Sequence, residues 1–210
     1  MGLKTDLINF SRLTGTSGFV KAYDGNLSVR TKKNYILSTA SETNKKKTKA
    51  SDIVKCDLKG KKLSGKRKLS TELKLHLYIY SKRKDINAVV HTHPVYISSF
   101  AAAGKKLSSK ILPEVYLGFG EIPMAAYATP STEEVPASIE PFVMKSKAII
   151  LANHGLVAFG RNIEEAYMIT EKLEQYAMIC FNAHVLGGAK SLNSAQLKKL
   201  DKIKLMLYKN

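Results

Sequence analysis

Two histidines separated by one residue, His91 and His93, lie at the end of a β-branched segment that predicts a strand over 86–92. Because alternate residues of a strand project to the same face, both imidazoles can converge on one metal ion. A third histidine, His154, ends a second predicted strand over 147–153. Three neutral imidazoles leave a coordination position of a zinc ion open, which is typical of a catalytic site rather than a structural one. Histidines also occur as satisfied polar residues at strand ends, so the spacing alone leaves both interpretations open.

Glu72 is the acid–base candidate that accompanies these histidines. It follows Ser70 and Thr71 at the start of a segment over 71–83, for which we favour a helix with Ser70 as its N-cap. Hydroxyls and free backbone N–H groups at a helix start attract anions, phosphate included. The helix dipole also favours a glutamate in the first turn, so Glu72 has a purely structural interpretation as well.

Short strands and interspersed helices must position these residues. The hydrophobic pattern predicts further strands over 26–31, 34–38 and 53–57, and helices over 3–13, from Asn162 to Gly187-Gly188, and roughly over 194–207. Two other histidines, His76 and His184, lie in predicted helices without a partner at ligand spacing, so we leave them out of the site. The pattern indicates one α/β domain over residues 1–210 and does not fix its topology.

The chain carries a formal net charge of +17, which favours anionic partners. Eleven lysines and arginines fall within residues 45 to 68, against two acidic residues, Asp52 and Asp57. Because this stretch contains no aromatic residue to stack on bases, we interpret it as a solvated lysine-rich surface rather than a nucleic-acid site.

Two cysteines, Cys56 and Cys180, match no metal or redox spacing and indicate a reducing compartment. No apolar run reaches the roughly 18 residues that a membrane helix needs, and the first residues do not resemble a signal peptide. We therefore expect a cytoplasmic protein without a membrane partner.

Several motifs follow one another in order over about residues 5 to 188: Gly25-Asn26-Leu27-Ser28, Leu37-Ser38-Thr39-Ala40-Ser41, Lys68-Leu69-Ser70-Thr71-Glu72, Ala88-Val89-Val90-His91-Thr92-His93-Pro94, Ile122-Pro123 with Tyr127-Ala128-Thr129, and Asn153-His154-Gly155-Leu156. Together they resemble the class II aldolase/adducin family, especially its L-fuculose-1-phosphate aldolase branch. Several separately spaced motifs in one order make chance agreement improbable, which strengthens the metal-site interpretation.

The resemblance implies a role for each candidate residue. His91, His93 and His154 match the ligands of one zinc ion per subunit, or of another divalent metal, and Glu72 matches the acid–base residue beside that metal. The residues that match the substrate's phosphate site are Gly25, Asn26, Ser38, Ser41, Ser70 and Thr71. The phosphate loop departs from the usual Thr-Pro-Thr-Gly or Thr-Pro-Ser-Gly, because Ala40 lacks a hydroxyl and Ser41 replaces glycine.

The resemblance also implies a fold and an assembly. The fold would be a three-layer α/β/α sandwich around a mainly antiparallel sheet. The assembly would be a homotetramer with its active sites between subunits. Tyr116 matches a tyrosine that a neighbouring subunit contributes to the active site. Tyr208 matches a mobile tyrosine of the C-terminal tail.

The implied activity is zinc-dependent cleavage of a phosphorylated ketose, of the fuculose-1-phosphate type, to dihydroxyacetone phosphate and an aldehyde. Relatives with the same site catalyse 4-epimerisation of pentulose phosphates or dehydration of methylthioribulose phosphate, and both remain alternatives. Two alternatives belong to another class: a non-catalytic adducin-like module, and a nucleic-acid binder suggested by charge alone. The complete set of three histidines and a glutamate argues against the adducin-like module.

Overall fold

The computed structural model describes residues 2–207. Its helices are α1 Leu3–Thr16, α2 Leu73–Lys82, α3 Val95–Ala102, α4 Pro113–Phe119, α5 Glu134–Val143, α6 Ile163–Val185 and α7 Ser194–Leu207. Its strands are β1 Asn26–Arg30, β2 Ile36–Thr39, β3 Ile53–Cys56, β4 Lys62–Ser64, β5 Ala88–Thr92, β6 Met124–Ala125, β7 Ala148–Leu151 and β8 Gly155–Gly160. Within the described residues, no helix is both long enough and apolar enough to cross a membrane.

One eight-stranded sheet runs through the protein in the order β4-β3-β2-β1-β5-β8-β7-β6. Every neighbouring pair is antiparallel except β6 with β7, which is parallel. β5 lies at the centre, paired with β1 on one side and β8 on the other. The predicted mainly antiparallel sheet is therefore confirmed.

Helices cover both faces of the sheet, because successive strand residues point to opposite sides. Val89, Val157 and Phe159 pack with α2 and α5 on one face. Val90 on the other face packs with α1, and Leu156 packs with α3 and α6. The arrangement is the three-layer α/β/α sandwich that the resemblance implied.

The helix predicted over 71–83 is confirmed, but its start is corrected. α2 begins at Leu73 and its cap position is Glu72, so Ser70 is not the N-cap. Ser70 Oγ instead accepts a hydrogen bond of 3.3 Å from the Glu72 N–H. The helix starts later than predicted because Leu69 forms an antiparallel bridge with Ala40, which keeps the backbone just before Ser70 extended.

A buried arginine fastens the loop between α2 and β5 to the sheet. Arg30 is only 6% exposed. Its guanidinium donates to the main-chain carbonyls of Tyr80, Arg83, Lys84 and Ile86 and to the side-chain oxygen of Asn87. Since β5 carries His91 and ends directly before His93, this contact also fixes the strand that supports the candidate site.

We expect Arg30→Met to lower the free energy of unfolding by about 2–4 kcal/mol, because two buried and two partly buried carbonyls lose their donor. Urea unfolding measures this change. The matched control is Arg161→Met, because the Arg161 side chain is 78% exposed and pairs with Glu165 at the surface. The control should cost at most about 1 kcal/mol, and an equal loss in both variants would contradict the role given to Arg30.

Candidate metal centre

Two of the three histidines are positioned by the central strand. His91 lies on β5, opposite Asn26 of β1 and Val157 of β8. His93 follows directly after the strand, where its N–H donates to Phe19 O at 3.0 Å. Alternation along the strand thus directs both imidazoles to one side, as the sequence predicted.

His154 lies in the turn between β7 and β8 rather than at the end of a strand over 147–153, because β7 already ends at Leu151. The turn presses closely against the end of β5. A Cβ on Gly155 would collide with Thr92 O and lie 2.7 Å from His93 Cδ2. Glycine at this position therefore allows His154 to approach the other two imidazoles.

The three imidazoles form one cluster with the donor set of a metal site. Their ligand nitrogens all lie within 4.8 Å of one another, and His91 Nε2 lies 3.2 Å from His93 Nε2. His91 Nδ1 lies 3.0 Å from Leu156 O, so this nitrogen carries the proton and Nε2 keeps its lone pair. Burial lowers the pKa of His91 and of His93 to about 4, which leaves both rings neutral, the form that binds metals.

Glu72 joins this cluster from the start of α2. Its Oε1 lies 3.2 Å from His154 Nε2 and its Oε2 lies 3.5 Å from His91 Nε2. Asn26 Nδ2 donates to Oε2 at 2.9 Å and orients the carboxylate. Burial by itself would raise the pKa of Glu72, but the three adjacent imidazoles outweigh it and hold that pKa well below its usual range. Glu72 is therefore a carboxylate at neutral pH.

A cavity of about 310 Å³ opens from this cluster. Glu72 and His93 line it together with five of the six predicted phosphate-site residues: Gly25, Asn26, Ser41, Ser70 and Thr71. The cavity is further lined by Tyr23, Asp24, Ala40, Glu42 and Lys45. A polar cavity lined by hydroxyls and amide groups next to a candidate metal centre can accept an anionic ligand.

The remaining predicted site residues lie elsewhere. Ser38 is fully buried on β2 and its hydroxyl donates to Thr39 O, so it does not line the cavity. Tyr116 lies on α4, away from this cavity, and donates to Asp201 of α7 at 2.8 Å. Tyr208 falls outside the described residues.

Sequence reasoning missed Lys45 and treated it as part of a solvated surface. Its side chain is buried, with 1% exposure, which corrects that interpretation for this residue. The signal was weak, because neighbouring Lys46 and Lys47 are exposed and nothing in the sequence distinguishes the three.

His76, one helical turn after Glu72, is also buried, and its Nδ1 lies 2.7 Å from Ser28 Oγ.

The fold and the site together define an α/β protein with three clustered imidazoles, an adjacent carboxylate and an open polar cavity. Such an arrangement is typical of a metal-dependent catalytic centre, because the cluster leaves room for a substrate beside the metal. The residues present therefore fit a divalent ion.

Comparison with known proteins agrees with this class. Residues 5–181 match the family described as Class II Aldolase and Adducin N-terminal domain. The chain is 30% identical to 5-deoxy-D-ribulose 1-phosphate aldolase of Bacillus thuringiensis serovar kurstaki over 95% of its own length and 93% of that protein. It is 34% identical to L-fuculose phosphate aldolase of Methanococcus maripaludis over 87% of its length and 98% of that protein. A solved structure of L-fuculose 1-phosphate aldolase superposes with a TM-score of 0.87 at 29% identity, with 96% of each chain covered.

The chain belongs to the class II aldolase and adducin N-terminal domain family. The resemblance to this family that the sequence motifs indicated is confirmed. The prediction that the protein is an enzyme of the class II aldolase type, which is a lyase, is confirmed as well.

We expect the purified protein to bind about one divalent ion per chain and His93→Ala to lose most of it, because two imidazoles remain where three converge. Elemental analysis after dialysis against zinc measures the ratio. His184→Ala is the matched control, because His184 is an exposed residue of α6 and does not belong to the cluster of three histidines. Equal metal content in both variants would contradict the assignment of the cluster.

Proposed function

We propose that the protein is a zinc-dependent aldolase that cleaves a ketose 1-phosphate to dihydroxyacetone phosphate and an aldehyde. The observation that supports this most directly is the position of Glu72, which contacts the imidazole cluster and also lines the polar cavity. An acid–base group, a metal centre and a place for an anion are thus adjacent.

His91, His93 and His154 would hold the ion. When bound, the ion supplies Lewis acidity that stabilises negative charge developing on the oxygens next to the bond that breaks. Retro-aldol cleavage also requires one proton to leave a hydroxyl and one to arrive at carbon. Glu72 is a carboxylate held by Asn26, and it would exchange the proton at the carbon of the dihydroxyacetone phosphate half.

The aldehyde half needs a second acid–base group. We propose Tyr116 for this role, acting in the cavity of a neighbouring subunit within a homotetramer. The resemblance of the sequence motifs supports this assignment; within its own chain the Tyr116 hydroxyl does not line the cavity and donates to Asp201. The hydrogen bond to Asp201 raises the pKa of Tyr116 and orients its hydroxyl.

The relatives and the cavity support the proposed substrate class. The two enzymes compared above are named for 5-deoxy-D-ribulose 1-phosphate and fuculose phosphate. Ser70, Thr71 and Asn26 line the cavity and offer donors to a phosphate. Phosphate held there would orient the ketose so that its reacting carbons face Glu72.

The deciding experiment measures dihydroxyacetone phosphate released by the zinc-loaded protein from fuculose, rhamnulose and 5-deoxyribulose 1-phosphates. Release from any of them supports the aldolase. Bound metal with no release, but with epimerised pentulose phosphate or dehydrated methylthioribulose phosphate, would replace the proposal by one of those reactions. No metal and no turnover would leave a binding module.

We expect Glu72→Gln to lower kcat by about 10²- to 10⁴-fold, because an amide cannot exchange the proton. Zinc content should stay at the wild-type level, since the three histidines remain. Glu133→Gln is the control, because Glu133 is 78% exposed and pairs with Lys74 at the surface. Wild-type turnover by Glu72→Gln would contradict the role given to this carboxylate.

A further inference from the structure

Lys45 is a buried cation whose polar partners are all neutral. Its Nζ donates to Tyr23 O at 3.0 Å and to Thr43 O at 2.9 Å. Within residues 2–207, no carboxylate oxygen lies within 4.0 Å of this nitrogen. An ammonium group has three N–H donors, and burying a charge without a counter-ion is costly. The two carbonyls use two of these donors, and neither neutralises the charge.

The charge is present at neutral pH. Burial lowers the pKa of Lys45 to about 8, while Asp24 and Glu72 oppose this shift from a greater distance. The ammonium form is therefore the major one at pH 7.

Lys45 lines the same cavity as the hydroxyls and the amide described above. This cavity contains Asn26, Ser70 and Thr71, whose side chains can donate to oxygen but carry no positive charge. Ala40 lines it as well and contributes no hydroxyl. Three carboxylates, those of Asp24, Glu42 and Glu72, also line the cavity, and Lys45 is the one lysine or arginine among the described residues that line it.

The loops around the cavity hold the Lys45 ammonium group in place. Tyr23 O belongs to the segment before β1, and Thr43 O belongs to the loop after β2. Arg67 fixes that second loop by donating to Ser41 O and Glu42 O, both at 2.9 Å. Because the ammonium is already positioned by two bonds, little side-chain entropy is lost when an anion accepts the third.

We propose that Lys45 binds the phosphate group of the substrate and replaces the hydroxyl that Ala40 lacks in the phosphate loop. This inference rests on the proposed function for the identity of the ligand as a phosphorylated ketose. Its physical content, an anion bound by a buried ammonium group, is testable without any turnover.

The alternative is that Lys45 only ties two loops together, and a pair of neutral variants separates the two roles. Lys45→Met removes the charge and the donors, whereas Lys45→Gln keeps a neutral donor for a carbonyl. Lys46→Met is the matched control, because it removes the same charge one residue along, from an exposed side chain that does not line this cavity.

The experiment titrates inorganic phosphate into each zinc-loaded protein by calorimetry and then measures KM and kcat with the best ketose 1-phosphate. Metal content and melting temperature establish that each variant is folded. We expect both Lys45 variants to bind phosphate about 10- to 100-fold more weakly, because a charge-assisted bond in a buried site is lost. KM should rise by a similar factor while Lys46→Met stays at the wild-type values.

The outcomes separate this inference from the proposed function. A folded Lys45→Met or Lys45→Gln protein that binds phosphate within about twofold of wild type overturns the inference, even if the enzyme cleaves ketose phosphates. Loss of phosphate binding in both variants, without cleavage of any sugar phosphate by the wild type, supports the anion site and rejects the aldolase.

Discussion

The antiparallel pairing of β5 with β1 and β8 is the constraint on which the candidate site depends. This register places His91 opposite Asn26 on one side and Val157 on the other. Asn26 reaches Glu72, and β8 begins immediately after His154. Because a slip of one residue would turn every side chain of β5 to the opposite face, the apolar layers that fix the register also fix the site.

The apolar packing and the polar cluster support each other. Val89 and Val90 point to opposite faces of β5 and are both buried, so the strand cannot rotate or shift without exposing apolar surface. Against this rigid strand, burial keeps the imidazoles of His91 and His93 neutral, and the adjacent Glu72 carboxylate stays ionised. The site therefore places imidazole nitrogens beside the Glu72 carboxylate before any ligand arrives, an electrostatic preorganisation that suits a divalent cation.

The positive charge of the chain has two different physical meanings. Most of the lysine-rich stretch is exposed, where water and salt screen each charge. Lys45 is the exception in that stretch, because it is buried beside the cavity and screened far less. A net charge of +17 attracts anions to the protein in general, whereas one buried ammonium group can select where an anion binds.

The sequence by itself determined the strand that carries His91, the helix after Glu72, and the long helix that follows Asn162, because each has a strong local pattern. Motif order then connected His154 and Asn26 to the same site. The tertiary structure decided what local pattern cannot encode. β8 is buried on both faces and lacks the alternation that marks a half-exposed strand, so its pairing with β5 emerges only in the assembled sheet.

Three corrections have the same origin. His154 lies in a turn because β7 ends before it and Gly155 packs against the end of β5. α2 starts at Leu73 because Leu69, before it, forms a bridge with Ala40. Lys45 resembles its exposed neighbours in sequence and differs from them only in what surrounds it. Burial, strand ends and the direction of a side chain are set by long-range contacts, and those contacts exist only once distant segments have packed together.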